Sequence, residues 1–148
     1  MSMFVPEMSA GDLTAGQTGR AGEALAMYNL EMFGVQAEII RTRGCDLWCM
    51  AADGMLFTAE VKTCSVPFFN DLNSRTKTYK YNIGSTPQRA SDVHVFVALD
   101  IMGALFVPTS ELPQGGGKTY KARHLDRSLT EPSLQHCLSL LKDNKKAA

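Results

Sequence analysis

The residues of this sequence best suited to chemistry are two acids and a lysine around a sharp turn. Glu60 and Lys62 lie two positions apart in a segment that predicts a β-strand, so both side chains should leave the same face. Asp46 lies in the preceding predicted strand, and the Asp53-Gly54 pair is a strong signal for a two-residue hairpin turn. Because a hairpin runs its arms side by side, the carboxylates of Asp46 and Glu60 should meet at roughly 4–6 Å.

Two carboxylates at that distance repel each other unless a cation lies between them. Mg²⁺ takes oxygen ligands and usually binds through one or two carboxylates with water and phosphate oxygens. Such an ion can polarise a phosphate, activate water and stabilise a leaving oxygen in phosphodiester hydrolysis. Lys62 could orient the water or steady the developing negative charge. The alternative is a structural one, because Glu-x-Lys is a common pair on a solvated strand face.

Composition limits the class of protein. The chain has 148 residues, of which 45% are hydrophobic and 20% charged, which excludes a disordered tail, a collagen-like repeat and a coiled coil. We expect one domain over residues 1–148. No apolar run approaches the roughly 20 residues of a membrane span, and we find no signal-peptide pattern. With four cysteines that suit free thiols, we expect a cytoplasmic protein with no membrane partner.

The net charge of zero hides an asymmetry between the two parts of the chain. Residues 1–60 contain eight acids and three bases, a net charge of −5, whereas residues 61–148 have a net charge of +5. Between residues 72 and 91 there are four bases and no acid. An acidic half joined to a basic half suits a metal-dependent enzyme that acts on a polyanion. A solvated surface with uneven charge gives the same count.

The apolar pattern predicts the elements that would position these residues. The first helix should run from Gly16 to Phe33, with Thr18 as its N-cap and Gly34 as its end. A second helix should cover about Ser133 to Lys142, and Gln114 to Gly117 should form a flexible loop. Strands are predicted over Gln36–Arg43, Asp46–Ala52, Met55–Cys64, Val93–Leu99 and Ala104–Val107, with Tyr79–Ile83 as a possible short strand.

Taken in order, these motifs resemble the PD-(D/E)XK nuclease superfamily. Glu23 lies on the first helix, and Asp46 is followed after thirteen residues by Glu60-Val61-Lys62. The segment Gly19-Arg20-Ala21-Gly22-Glu23 is similar to the start of small intron- or phage-encoded endonucleases and archaeal Holliday junction resolvases. The resemblance covers about residues 18–112. Cys45 stands where the superfamily's name has a proline, which many members lack.

The resemblance implies an α/β fold with a restriction-endonuclease-like core, in which helices flank a mixed central β-sheet. It also implies that Asp46, Glu60 and the carbonyl of Val61 bind Mg²⁺, for which Mn²⁺ would substitute. Lys62 would position the attacking water. Glu23 would touch the metal through water or hold the outer part of the site.

Five residues after the motif strand are candidates for DNA contact, because Arg and Lys meet phosphates and Gln can read an adenine edge. They are Arg75, Lys77, Lys80, Gln88 and Arg89. Tyr79 and Tyr81 could stack on bases or belong to the core, and we interpret Trp48 and His94 as core residues.

The sequence therefore predicts a Mg²⁺-dependent endodeoxyribonuclease. A homodimer is expected, since it would double the DNA-binding surface and supply two active sites for two strands. Two alternatives stay open. One is a structure-specific Holliday junction resolvase, and the other is a non-catalytic nucleic-acid-binding module whose acidic cluster is structural.

Overall fold

Eight β-strands and two α-helices make up the fold in the computed structural model, which describes residues 7–69, 76–84 and 90–147. The helices are α1 (Ala15–Met32) and α2 (Arg127–Ala147), and short 3₁₀ turns occur at Ala10–Asp12, Thr109–Glu111 and Ala122–Leu125. The strands are β1 (Gln36–Thr42), β2 (Cys45–Met50), β3 (Leu56–Cys64), β4 (Phe68–Phe69), β5 (Lys77–Asn82), β6 (Val93–Ala98), β7 (Gly103–Pro108) and β8 (Gly117–Lys121).

The central sheet has the strand order β1-β2-β3-β6-β7. Neighbouring strands run antiparallel except for β3 and β6, which are parallel. With the two helices, this arrangement confirms the predicted α/β class with a mixed central sheet and flanking helices. None of the described helices is both long and apolar enough to cross a membrane.

The two faces of the central sheet are covered differently. Side chains of α1 and α2, such as Leu30 and Leu134, pack on one face in the larger core cluster. On the other face lies a second sheet of order β4-β5-β8, whose Tyr81 packs against Phe96 of the central sheet. Strand β6 lies between these layers, and all six of its residues are buried. Burial on both faces explains why its sequence is almost wholly apolar.

Helix α1 begins earlier than predicted, because its N-cap is Thr14 and not Thr18. The hydroxyl of Thr14 accepts a hydrogen bond from the N–H of Gln17 at 3.2 Å, and the side chain of Gln17 accepts one from the N–H of Thr14 at 2.9 Å. This reciprocal capping box needs Glu or Gln three positions after the cap. Thr18 has Ala21 at that position, so it cannot form the box.

The C-terminal helix is longer than the predicted range of Ser133 to Lys142. The carboxylate of Asp126 accepts a hydrogen bond from the N–H of Ser128 at 2.9 Å, which satisfies one free donor at the start of α2. The hydroxyl of Thr130 then donates to the carbonyl of Ala104 in β7 at 2.7 Å. Tertiary contacts of the early turns thus extend the helix beyond its strongly apolar part.

The segment predicted as a loop, Gln114 to Gly117, is followed by a strand that the sequence analysis did not predict. Gly117 opens β8, which pairs antiparallel with β5 and places Tyr120 opposite Tyr79. The fold therefore continues past residue 112, the last residue of the segment in which the sequence motifs occur.

Helix α1 passes very close to β3 at Gly22. A Cβ atom at that position would lie 1.7 Å from Oγ1 of Thr63 and 2.7 Å from its Cβ. Only a residue without a side chain allows this approach. The next residue, Glu23, is thereby brought close enough to Asp46 for its charge to act on that carboxylate.

We expect Gly22→Ala to lower the free energy of unfolding by roughly 1–3 kcal/mol, because the added methyl group must push α1 away from β3. Gly19→Ala in the same helix is the matched control. A Cβ there would meet nothing within 4 Å, so this variant should gain up to about 1 kcal/mol from helix propensity. Urea unfolding followed by circular dichroism measures both, and equal effects would contradict the close approach.

Candidate active site

The candidate site lies where β2 and β3 separate. The hairpin between these strands has a three-residue turn and not the predicted two-residue turn. The N–H of Ala51 donates to the carbonyl of Met55 at 2.9 Å, which leaves three residues between them. Gly54 supplies the left-handed residue, with φ of 87°. The pairs Met50 with Leu56 and Leu47 with Ala59 follow from it.

This turn length decides which side chain faces Glu60. One position beyond the pair of Leu47 with Ala59, the same register places Asp46 opposite Glu60. A two-residue turn at Asp53-Gly54 would shift the register by one and place Asp46 opposite Val61 instead. The three-residue turn therefore brings the two carboxylates onto one face.

Asp46 bonds directly to the backbone of β3. Its Oδ2 accepts a hydrogen bond from the N–H of Val61 at 2.7 Å. The carbonyls of Thr58 and Cys64 accept bonds from Asp92 and Leu99 on the β6 side of the strand. Because carbonyl directions alternate along a strand, the carbonyl of Val61 points the opposite way, toward Asp46.

Glu60 lies between two nitrogen-bearing side chains. Its Oε1 is 2.8 Å from Nζ of Lys62, and its Oε2 is 3.2 Å from Nε2 of His94. The side chains of Glu60 and Lys62 are only 17% and 28% exposed. The structure thus brings Asp46, Glu60, Val61 and Lys62 together in a half-buried group.

Glu23 reaches the same edge from α1. Its Oε2 accepts hydrogen bonds from Nε and Nη2 of Arg41 at 3.2 and 3.1 Å, and its side chain is 13% exposed. Arg41 lies within the register irregularity of β1, between Ile39 and Thr42, and has a φ of 43°, in the left-handed region that glycine favours. No sequence pattern indicates this partner, since the irregular pairing of β1 is visible only in the folded sheet.

The two central carboxylates are shifted in opposite directions. Burial is the largest cause and raises the pKa of Asp46 above its ordinary 3.8. The hydrogen bond from the Val61 N–H opposes this, the negative charges of Glu23 and Glu60 raise the pKa further, and the charge of Lys62 lowers it. Burial also acts to raise the pKa of Glu60, but the contacts with His94 and Lys62 outweigh it and leave the pKa below 4.5. Asp46 thus carries the less compensated negative charge.

The donor atoms gathered here suit a hard divalent cation. Two carboxylates and a backbone carbonyl are oxygen ligands of the kind that Mg²⁺ binds alongside water. Over residues 7–69, 76–84 and 90–147, no group of three or more His, Cys, Asp or Glu side chains is placed to hold a metal ion. Any metal at this site would therefore rely on Asp46, Glu60, the carbonyl of Val61 and non-protein ligands.

His94 has a polar partner that its sequence pattern does not indicate. It is fully buried, as expected of a core histidine, yet it faces Glu60 across the parallel pair of β3 and β6. The sequence does show one sign of such a partner, because His94 is a polar residue within an otherwise apolar strand. The contact with Glu60 could not be foreseen, because it depends on which strand lies beside β3.

The candidate DNA-contact residues are only partly described. Lys77 and Lys80 lie on β5 and are exposed, whereas Arg75, Gln88 and Arg89 fall outside the described residues. Nζ of Lys80 lies 3.7 Å from the ring centroid of Phe68.

The second sheet and the turn at Ala122–Leu125 form a surface that we call the basic sheet. Strands β5 and β8 and this turn contain five lysines and arginines and no acid. Partial burial lowers the pKa of His124 in the turn, and the charges of Arg123, Lys121 and Lys118 lower it further. Three positive charges are therefore close enough to His124 to disfavour its protonation. No local pattern groups these residues, since β5 and β8 are distant along the chain.

Three aromatic side chains near the site differ in their surroundings. Tyr79 and Tyr81 are core residues, not base-stacking ones, since their hydroxyls donate to Asp100 at 2.9 Å and to the carbonyl of Val97 at 3.0 Å. Trp48 is 43% exposed, so its assignment to the core was wrong. It lies on the face of β2 that carries Asp46, a part of the sheet that the second sheet leaves open.

Comparison with known proteins places the fold. The chain is similar in structure to a bacterial homing endonuclease, I-Ssp6803I, with a TM-score of 0.62 and 17% sequence identity. The match covers 91% of this chain and 99% of the other. No protein-family model matches the sequence, and no curated protein matches it either. The similarity therefore shows a shared fold.

The opposite pKa shifts predict opposite effects of neutralising the two acids at pH 7 without divalent ions. The raised pKa of Asp46 gives stability that is complete below about pH 3.8 and is lost as the pH rises through its folded value, so Asp46→Asn should raise Tm. The lowered pKa of Glu60 gives stability that is present above about pH 4.5 and is lost as the pH falls, so Glu60→Gln should lower Tm. Shifts of about 1–3 °C in thermal unfolding are expected.

Two exposed acids of α2 are the matched controls, Asp143→Asn and Glu131→Gln. Both should leave Tm within about 1 °C of the parent value. A fall in Tm for Asp46→Asn as large as that for Glu60→Gln would contradict the charge distribution described above.

Proposed function

We propose that this protein is an endonuclease that hydrolyses DNA phosphodiester bonds at Asp46, Glu60 and Lys62 with Mg²⁺ as its cofactor. The observation that carries the proposal is the gathering of these side chains and the Val61 carbonyl where β2 and β3 separate. The group occurs in a fold shared with a protein described as a bacterial homing endonuclease. Fold similarity alone does not assign an activity, so the side chains have to support it.

Asp46, Glu60 and the carbonyl of Val61 would hold the metal ion. Their charge and atom types fit it, because the ionised form of Asp46 is opposed by the charges of Glu23 and Glu60, and a cation would relieve that repulsion. When bound, the ion supplies positive charge that polarises the phosphate and makes water more acidic. Mn²⁺, which also accepts oxygen ligands, should replace it.

Lys62 would position the attacking water. Its ammonium group has three N–H donors, of which one faces Oε1 of Glu60. The other donors are available to a water molecule or to a phosphate oxygen. The oxygen of that water would form a bond to phosphorus as the bond to the leaving oxygen breaks, with attack in line. One proton of the attacking water would pass to solvent, and the leaving oxygen would take up a proton from solvent. Glu23, held by Arg41, would maintain the negative potential beside Asp46.

The basic sheet would bind the DNA backbone. It packs on the same face of the central sheet that carries Glu60, Lys62 and Phe96. Lys80 lies opposite Thr119 in the pairing of β5 with β8, and Lys121 lies opposite Thr78. The ammonium groups of these two lysines suit phosphates along a DNA strand. A homodimer is part of the proposal, since it would place two such surfaces and two sites on one duplex.

The activity is tested on supercoiled plasmid, linear duplex, single-stranded DNA and a four-way junction, each with Mg²⁺, Mn²⁺ or EDTA. We expect cleavage with either metal and none with EDTA. Glu60→Gln and Lys62→Met should each lower the rate by at least about a hundredfold, the scale on which removal of one charge-stabilising group acts. Glu131→Gln and Lys146→Met on α2 are the matched controls and should cleave as the parent does.

The substrate profile separates the alternatives. Exclusive cleavage of the four-way junction would identify a structure-specific resolvase. DNA binding by a folded protein without cleavage in either metal would refute the enzyme and favour a binding module. Size-exclusion chromatography with and without DNA reports whether the protein is a dimer.

We expect DNA binding through the basic sheet to weaken steeply with salt. Lys80→Gln combined with Lys121→Gln should reduce the slope of log K against log salt concentration by about 2, one unit for each phosphate that a lysine no longer neutralises. Fluorescence anisotropy of a labelled duplex in EDTA measures this slope. Lys146→Gln, near the end of α2, is the control. An unchanged slope for the double variant would exclude the basic sheet as the binding surface.

A further inference from the structure

A fully buried histidine contacts the candidate site from the neighbouring strand. His94 on β6 lies directly opposite Glu60 in the parallel pairing with β3. Its Nε2 is 3.2 Å from Oε2 of Glu60, a close contact that does not meet hydrogen-bond geometry, and it has no hydrogen-bond partner among the described residues. Its Nδ1 is 2.9 Å from Oγ1 of Thr109, the residue that follows β7. The imidazole therefore lies between a threonine hydroxyl, to which it is hydrogen-bonded, and the carboxylate of Glu60.

These neighbours select one arrangement of the imidazole protons. An ionised carboxylate only accepts hydrogen bonds, so the nitrogen that faces Glu60 must carry a proton. In the neutral ring Nδ1 is then an acceptor, and the hydroxyl of Thr109 is its donor. The N–H of Thr109 itself donates to the carbonyl of Asp92 at 3.0 Å. This backbone hydrogen bond holds Thr109 in place, so its hydroxyl stays beside Nδ1 of His94.

The imidazole plane is also restrained by packing. The ring stacks on Phe96, with 6.1 Å between centroids and 27° between planes. The other side chains of β6 are apolar, and all are buried. A polar ring costs free energy in such a place unless both nitrogens have partners. The one polar side chain of this strand stands at the position beside Glu60, which points to a role toward that carboxylate.

We propose that His94, held by Thr109, is a positioning residue that fixes the carboxylate of Glu60 for divalent metal binding. This inference rests on the proposed function and adds two residues to it. Hydrogen bonds from neighbouring groups commonly orient metal-binding carboxylates. Here the two oxygens of Glu60 have different partners, His94 for Oε2 and Lys62 for Oε1. Removal of either partner would leave the carboxylate free to rotate.

The proton arrangement can be measured without any metal or activity. In protein labelled with ¹⁵N in its histidine rings, long-range ¹H–¹⁵N correlation spectra show which nitrogen of each ring is protonated. His94→Phe identifies the signals, since the chain has three histidines. We expect Nε2 of His94 to carry the proton and Nδ1 to be a hydrogen-bonded acceptor. Thr109→Val should alter the Nδ1 signal, whereas Thr109→Ser, which keeps the hydroxyl, should preserve it.

The effect on metal binding is measured by calorimetry with Mn²⁺ alone, in the absence of DNA. His94→Phe and Thr109→Val should each weaken Mn²⁺ binding by about tenfold or more, the usual effect of removing such a partner. Thr109→Ser should restore it. The matched control is His136→Phe, at an exposed histidine of α2 that pairs with Glu111, and it should bind Mn²⁺ as the parent does. Thermal unfolding verifies that each variant is folded.

The outcomes separate this inference from the proposed function. An unprotonated Nε2, or a doubly protonated ring to which Thr109 cannot donate, overturns the inference whatever the activity. Normal Mn²⁺ binding by folded His94→Phe and Thr109→Val also overturns it, while cleavage by the parent protein keeps the proposed function. A parent protein that neither binds Mn²⁺ nor cleaves DNA refutes both. The expected protonation, together with weakened binding that Thr109→Ser restores, supports both.

Discussion

A single hydrogen bond, from the N–H of Val61 to the carboxylate of Asp46, holds the candidate site together. β2 begins at Cys45, beside this point, whereas β3 continues beside β6, so the backbone of Val61 has no strand partner on the β2 side. An unpaired backbone N–H in a half-buried place is costly, and a side-chain oxygen is the available replacement. Using a carboxylate for this purpose brings a negative charge next to Glu60. The same hydrogen bond therefore satisfies the backbone of β3 and places a second negative charge beside Glu60.

The acids of the site are compensated unequally. Glu23 is bound by Arg41, and Glu60 has both Lys62 and His94 within 3.2 Å. Asp46 depends mainly on a backbone N–H, and its pKa is raised by burial and by its acidic neighbours. The folded protein therefore holds the ionised carboxylate of Asp46 close to other negative charges, which costs free energy. Sites that act on ligands often hold such unfavourable arrangements, which the rest of the fold must offset.

Sequence patterns predicted the parts of this structure that depend on nearby residues. Alternation along β3 placed Glu60 and Lys62 on one face, and the apolar run of β6 marked a buried strand. The turn before β3 was correct in place but one residue too short, since periodicity does not distinguish neighbouring registers. Strand β8 and the contact of His94 with Glu60 were missed for another reason. Both depend on strands that are distant in sequence, and no local pattern records which of them become neighbours.

The second sheet shares no strand with the central sheet across the part of the chain that the structure describes. The two meet through side chains, as where the rings of Tyr81 and Phe96 lie 5.0 Å apart. Outward positions such as Lys80 and Thr119 pair with each other and face away from that contact. These outward side chains make no part of the contact between the two sheets. The charge of this outer surface can therefore change without any change at the Tyr81–Phe96 contact or at the acidic site on the central sheet.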